Sequence, residues 1–102
     1  MTRVRLSEDA RADLDDYRRW LLEAAGENVA EVWIDALLDW IAELGTFPER
    51  GSPRPDLRPG VRTRVFRRRV TIAYDVTDGI VTVLRVLARG RNVTAETLTD
   101  RD

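Results

Sequence analysis

Five of the eight residues from Arg62 to Arg69 are arginine, and Arg85, Arg89 and Arg91 repeat that density further along the chain. A guanidinium binds a carboxylate or a phosphate through two parallel N–H donors. It stays charged at any ordinary pH, so such clusters recognise anions and are poor at moving protons. Residues that do move protons are scarce. There is no cysteine and no histidine, which removes thiol nucleophiles, disulfides and the common zinc ligands. Asp13/Asp16 and Asp15/Asp16 are carboxylate pairs at spacings ordinary for a helix surface, and we reject them as a general acid and base. Tyr17 and Tyr74 fall in apolar register and are expected in the core. No glycine-rich phosphate loop, metal-ligand spacing or nucleophile elbow is present, so no cofactor and no metal are expected and no catalytic residue is assigned.

Charge is divided along the chain. Before Arg50 there are five arginines against twelve acids, net −7; from Arg50 onward there are twelve arginines against six acids, net +6. The total of −1 therefore conceals a bipolar molecule whose second half would draw an acidic partner or a nucleic acid, unless the two halves neutralise each other within one fold. The alternative is that the arginine surface is a solvated sheet face paired internally with Asp56, Asp75 and Asp78.

At 102 residues one domain is expected, spanning 1–102. Apolar runs are too short for a signal or a membrane anchor, so a cytoplasmic protein is expected. Arg3–Leu6 alternates like a strand, and Ser7 follows at an N-cap position. Ala10, Leu14, Tyr17, Leu21 and Ala24 recur at helical spacing up to Gly26, and a second helix over about Asn28 to Leu44 carries Val29, Val32, Trp33, Ala36, Leu37, Trp40 and Ile41. The break between them is too short for anything but an antiparallel hairpin. Thr46–Gly60 holds all four prolines and reads as a connector. Three strand-like runs follow, Val61–Arg67, Val70–Val76 and Ile80–Leu87, the last two joined by Thr77-Asp78-Gly79. The order β-α-α-β-β-β predicts an α+β two-layer sandwich, a helical hairpin on a mainly antiparallel sheet. Thr94–Asp102 reads as a weakly ordered end or a short helix.

Within Val61–Arg67, alternation places Arg62, Arg64 and Phe66 on one face and Val61, Thr63 and Val65 on the other. The expectation is that the helices cover the valine face and the arginines face outward, with Arg67 in the following turn and Arg85, Arg89 and Arg91 joining the same surface. Trp33, Leu37 and Trp40 are the expected core. Glu27, Glu31, Asp35, Asp39 and Glu43 form an i, i+4 acidic row that reads as the wet face of the second helix, with a docking strip for a basic partner as the alternative.

Several segments, in order, resemble the ParE toxins of the RelE/ParE superfamily: Leu6-Ser7-Glu8-Asp9-Ala10 with Asp13-Leu14, Pro48-Glu49-Arg50-Gly51, Leu57-Arg58-Pro59-Gly60-Val61-Arg62, Ile72-Ala73-Tyr74-Asp75-Val76, and Val83-Leu84-Arg85-Val86-Leu87 followed by Arg91. The resemblance covers about Val4 to Val93. It implies a plasmid-stabilisation type toxin neutralised in a hetero-oligomer by a cognate antitoxin, whose C-terminal segment folds on the toxin beside the helical hairpin and the arginine surface. Arg62, Arg64, Arg67, Arg85, Arg89 and Arg91 are then the candidate antitoxin or effector contacts. The ParE branch implies poisoning of DNA gyrase by binding; the RelE branch implies ribosome-dependent cleavage of messenger RNA. This chain has no lysine or histidine and no tyrosine after Tyr74, which favours binding over nuclease chemistry, and its acidic first half disfavours direct contact with nucleic acid. Ala88 and Asn92 stand where many relatives carry a histidine and an acid, and an inert, antitoxin-binding relative is the third reading.

Overall fold

The computed structural model describes residues 3–98; Met1, Thr2 and 99–102, including the end of the Thr94–Asp102 stretch, lie outside. Strand β1 (Arg3–Leu6) leads through Ser7 into helix α1 (Glu8–Ala25), and helix α2 (Glu27–Ala42) continues into a 3-10 turn at Glu43–Gly45. Strands β2 (Ser52–Pro53), β3 (Arg62–Phe66), β4 (Val70–Thr77) and β5 (Ile80–Ala88) follow, and a second 3-10 turn spans Ala95–Thr97. The sheet order is β1-β5-β4-β3-β2, antiparallel throughout except that β1 runs parallel to β5. No described helix is long and apolar enough to cross a membrane.

Local chemistry fixes the joints. Ser7 caps α1 by accepting from the Ala10 N–H at 3.0 Å, and its hydroxyl donates to the Leu84 carbonyl. Gly26 ends α1 at φ 92°, a value that side chains resist, and so allows the immediate reversal into α2. The Thr46–Gly60 connector contains a strand the composition did not suggest. Ser52 and Pro53 pair with Thr63 and Arg62, proline being tolerated because β2 is an edge. Tyr74 organises this segment from below: its hydroxyl donates to the Pro48 carbonyl and accepts from the Gly51 N–H. A Cβ at Gly51 would sit 2.5 Å from that hydroxyl oxygen, which is why glycine stands there.

The main core lies between the helices and one face of the sheet, built from Leu14, Tyr17, Leu21, Ile34, Leu37, Ile41, Ile72, Tyr74, Val81, Val83 and Val86 among others. Leu37 is fully buried as expected, but Trp33 and Trp40 are only half-buried at its margin. Ala30 and Ile34 take the central positions, while Val29, Val32 and Ala24 are exposed. The second face of β5, expected to be partly covered, packs in a smaller cluster of Val61, Ala73 and Leu98 with Leu84 and Val93. A bulge permits both faces to be filled: Ala73 pairs with Arg85 and Tyr74 with Val83, leaving Leu84 unopposed, so Val83 and Val86 both meet the helices despite their odd spacing.

The expected orientation of β3 is reversed. Phe66, in the row of Arg62 and Arg64, packs against Trp33 and Trp40 of α2, whereas Val61 belongs to the opposite cluster and Val65 is 56% exposed. The strand chooses between burying a phenyl ring and burying a valine, and the ring removes more apolar surface from water. Arg62 and Arg64 follow their row and become half-buried, with the Arg64 guanidinium lying over the Trp40 ring.

Candidate functional site

Reversal of β3 turns Arg64 onto a tryptophan, and Arg67 and Arg89 reach two more from the turns that follow β3 and β5. The Arg64 guanidinium lies 4.3 Å above the Trp40 ring, Arg67 5.2 Å above Trp33 and 4.8 Å from Phe66, and Arg89 4.8 Å above Trp20. Stacking on an aromatic face holds a guanidinium by its plane and leaves its in-plane N–H edge free for an anion. No carboxylate lies within ion-pair distance of Arg64, Arg67, Arg68, Arg69 or Arg89 among the described residues. Asp56 and Asp75 are taken by Arg54 and Arg58, at 2.9 and 3.5 Å. Internal neutralisation therefore stops short of the stacked arginines.

The backbone places three of these groups at a cost. Arg67 and Arg68 form the tip of the β3–β4 hairpin with φ of 49° and 61°, closed by the Arg69 N–H on the Phe66 carbonyl at 2.9 Å. The loop between the paired Phe66 and Val70 has three residues, and asparagine or glycine is the ordinary choice at such positive φ. Arg89 also stands at φ 61°, just beyond β5. These turns bring Arg68, Arg69 and Arg89 around a cleft of about 250 Å³ walled by Tyr17 and Trp20. The two rings are stacked at 6.1 Å, and Arg89 lies over Trp20. Burial pushes the Tyr17 phenol above its ordinary pKa, a shift partly offset by the Trp33 indole and the Arg69 charge. The Trp33 N–H approaches that hydroxyl without the geometry of a full hydrogen bond and is otherwise unsatisfied.

The six arginines singled out from sequence do not form one surface. Arg62 donates to the Glu49 and Gly51 carbonyls and holds the connector against β3. Arg85 is also an internal tie. Its Nε and Nη2 fork Asp13 at 2.7 and 2.8 Å, and its Nη1 donates to the Thr97 carbonyl. Asp13 hydrogen-bonds raise the Arg85 pKa further against the opposing effect of burial. Arg91 reaches only to 3.8 Å from Asp13 and is half-exposed. Arg64 and Arg67 share the flank of α2, and Arg89 joins Arg68 and Arg69 at the end of the sheet. Sequence reading left Arg68 and Arg69 as turn residues and missed Trp20; the recurrence of one tryptophan per cluster of helical positions was the available signal. Asp13, rejected as part of a catalytic pair, is no wet surface acid: it is buried and accepts from Arg85 and from the Val86 N–H at 2.9 Å. No group of three or more metal-ligating side chains converges among the described residues.

Residues 4–93 match the family model described as ParE toxin of type II toxin-antitoxin system, parDE. The chain belongs to this family. It is 31% identical over 96 residues to Toxin ParE3 of Caulobacter vibrioides, spanning 94% of this chain and 95% of that protein. Its fold is similar to a solved chain of the chromosomal ParDE TA system from P. aeruginosa, with a TM-score of 0.76 at 24% identity, covering 86% of this chain and 96% of that one. Two helices on a five-stranded sheet are thus also the fold of that solved chain, and the chain is a toxin of the type II class with an antitoxin as partner.

Proposed function

We propose that this toxin acts by binding DNA gyrase and arresting replication, and that its antitoxin silences it by covering the arginine–tryptophan surface. Arg64, Arg67 and Arg89 are the contacts this reading retains, with Arg68 and Arg69 added and Arg91 at the margin. Arg62 and Arg85 hold the fold. The observation that supports a binding mode is that Arg64, Arg67 and Arg89 lie over aromatic rings with no carboxylate partner among the described residues. The Tyr17 phenol lines the arginine cleft, and burial favours its neutral form.

Induction of the chain alone in a bacterial host, followed by pulses of labelled thymidine and methionine, tests the target. Thymidine incorporation is expected to fall first, and supercoiling by purified gyrase to be inhibited by the purified chain. An earlier fall in methionine incorporation would replace this reading with messenger-RNA cleavage, and no fall in either with an inert, antitoxin-binding relative.

A further inference from the structure

Two turns meet at one end of the sheet. Val70 is paired with Phe66 on one side and Ala88 on the other, so the β3–β4 turn and the turn that ends β5 lie next to each other. Each is closed by a backbone hydrogen bond, from the Arg69 N–H to the Phe66 carbonyl at 2.9 Å and from the Arg91 N–H to the Ala88 carbonyl at 3.2 Å. Among the described residues, four other than glycine have positive φ, and three of these, Arg67, Arg68 and Arg89, stand in the two turns. The fourth, Asp78, is of a type that tolerates the conformation, whereas arginine is not. Unfavoured backbone persists where the side chains it displays have a use.

What the turns display is the cleft of about 250 Å³ that Arg68, Arg69 and Arg89 surround and that Tyr17 and Trp20 wall. None of its lining residues is acidic. All three arginines are exposed, and none makes an ion pair or a side-chain hydrogen bond among the described residues. The cleft is therefore cationic.

The number of arginines selects the anion. One guanidinium fork satisfies a carboxylate, as Arg85 does for Asp13 within this fold. Three around one cleft exceed what a carboxylate or a phosphodiester can use, each having two free oxygens and a single charge. A phosphate monoester has three acceptor oxygens and nearly two charges at neutral pH. The cleft is smaller than the roughly 300 to 1,000 Å³ of pockets that enclose a whole drug-sized ligand, so it takes the phosphate and leaves the remainder outside. A second cleft of about 270 Å³ shares Tyr17 and Arg89 with it and offers that remainder room. The acids there are already engaged, Asp13 by Arg85 and Asp16 by Arg19 at 3.2 Å. An aromatic wall beside a phosphate site suits a nucleobase, because every base has a face to stack. We propose that the arginine cleft binds the terminal phosphate monoester of a nucleotide, free or at the 5′ end of a strand, with the nucleoside against the Tyr17 and Trp20 wall. The site is independent of the target assigned to the toxin above.

Isothermal titration calorimetry of the full chain at low salt tests it with adenosine, adenosine 5′-monophosphate, and a pentanucleotide carrying either a 5′-phosphate or a 5′-hydroxyl. The phosphorylated member of each pair is expected to bind at least tenfold tighter, and the tighter of the two phosphorylated ligands identifies the source as a free nucleotide or a strand end. Arg69→Gln should weaken that binding at least tenfold. So should Arg68→Gly, which relieves the unfavoured turn and leaves the protein more stable, so that lost binding there is not lost fold. Arg11→Gln, which removes the same charge from an exposed position elsewhere on α1, should change it less than twofold. The second ionisation of a phosphate monoester falls at about pH 6 and the chain has no histidine, so affinity should drop about fourfold from pH 7.5 to pH 5.5. Equal binding of phosphorylated and unphosphorylated ligands, indifference to Arg68→Gly, equal weakening by Arg11→Gln, or affinity unchanged at pH 5.5 would overturn the proposal. So would a phosphoserine peptide that binds more tightly than either nucleotide ligand, which would make the cleft a phosphopeptide site.

Discussion

Asp13 and Arg85, 72 residues apart in sequence, form a two-pronged ion pair at 2.7 and 2.8 Å whose side chains are 6% and 16% exposed. The pair continues what Ser7 begins. Strand β1 is shorter than its neighbour β5, and beyond Leu6 the open edge of β5 is met by side chains: the Ser7 hydroxyl donates to Leu84 and the Asp13 carboxylate accepts from Val86. Arg85 then ties α1 to the segment that covers the other face of the sheet, through the Thr97 carbonyl.

Removing one partner of this pair leaves a buried charge uncompensated. Asp13→Asn is expected to cost about 3–5 kcal/mol, read from urea unfolding, since breaking half of a buried pair is far more damaging than replacing both halves. Asp13→Leu with Arg85→Met should recover part of that loss only, because the Val86 N–H still lacks its acceptor at a cost of about 1–3 kcal/mol. A single mutant within 1 kcal/mol of wild type would place the carboxylate in solvent instead.

The Arg67-Arg68 turn sits in a conformation that its side chains resist. Asp78-Gly79 adopts the same sign of φ in the β4–β5 hairpin, with residues suited to it. Arg68→Gly should therefore raise stability by about 1 kcal/mol, because a non-glycine residue at positive φ costs about that much. Arg68 makes no ion pair among the described residues whose loss would offset the gain. Thermal unfolding of the two proteins decides it, and a lower melting temperature for the variant would show that Arg68 holds a stabilising contact.

Tyr17 makes stability depend on alkaline pH. Its folded pKa lies above the ordinary value of 10.0, burial being the largest cause. The contribution is fully present below pH 10, where both states are protonated. It is lost as pH rises from there through the folded pKa, because the unfolded chain releases a proton that the native state keeps. Tyr17→Phe should lose less stability between pH 9 and pH 11 than wild type, and the phenolate absorbance at 295 nm assigned to Tyr17 by difference between the two proteins should appear above pH 10. Identical alkaline profiles would mean that Tyr17 ionises freely.

The elements of this protein were legible in its sequence because each is written by local rules. The Ser7 cap, the Gly26 break, the helical spacing of Leu14, Tyr17 and Leu21, and the Asp78-Gly79 turn act over a few residues and left little choice of element order. The family motifs could be read for the same reason, as ordered short segments. Which face of β3 meets the helices was not a local matter. Alternation determined that Val61 and Val65 oppose Arg62, Arg64 and Phe66, but it could not weigh a phenyl ring against a valine, nor foresee that the guanidinium groups of Arg67 and Arg64 would lie on Trp33 and Trp40. The bulge at Leu84 likewise changed which residues of β5 face inward, and that shift exists only in the pairing of β5 with β4. Tertiary structure alone therefore decided which arginines are tied down, as Arg62 and Arg85 are, and which are stacked with their donors free, as Arg64, Arg67 and Arg89 are. The sequence determines how many guanidinium groups there are and where they stand along the chain; their partners come from other segments, and only folding brings those segments together.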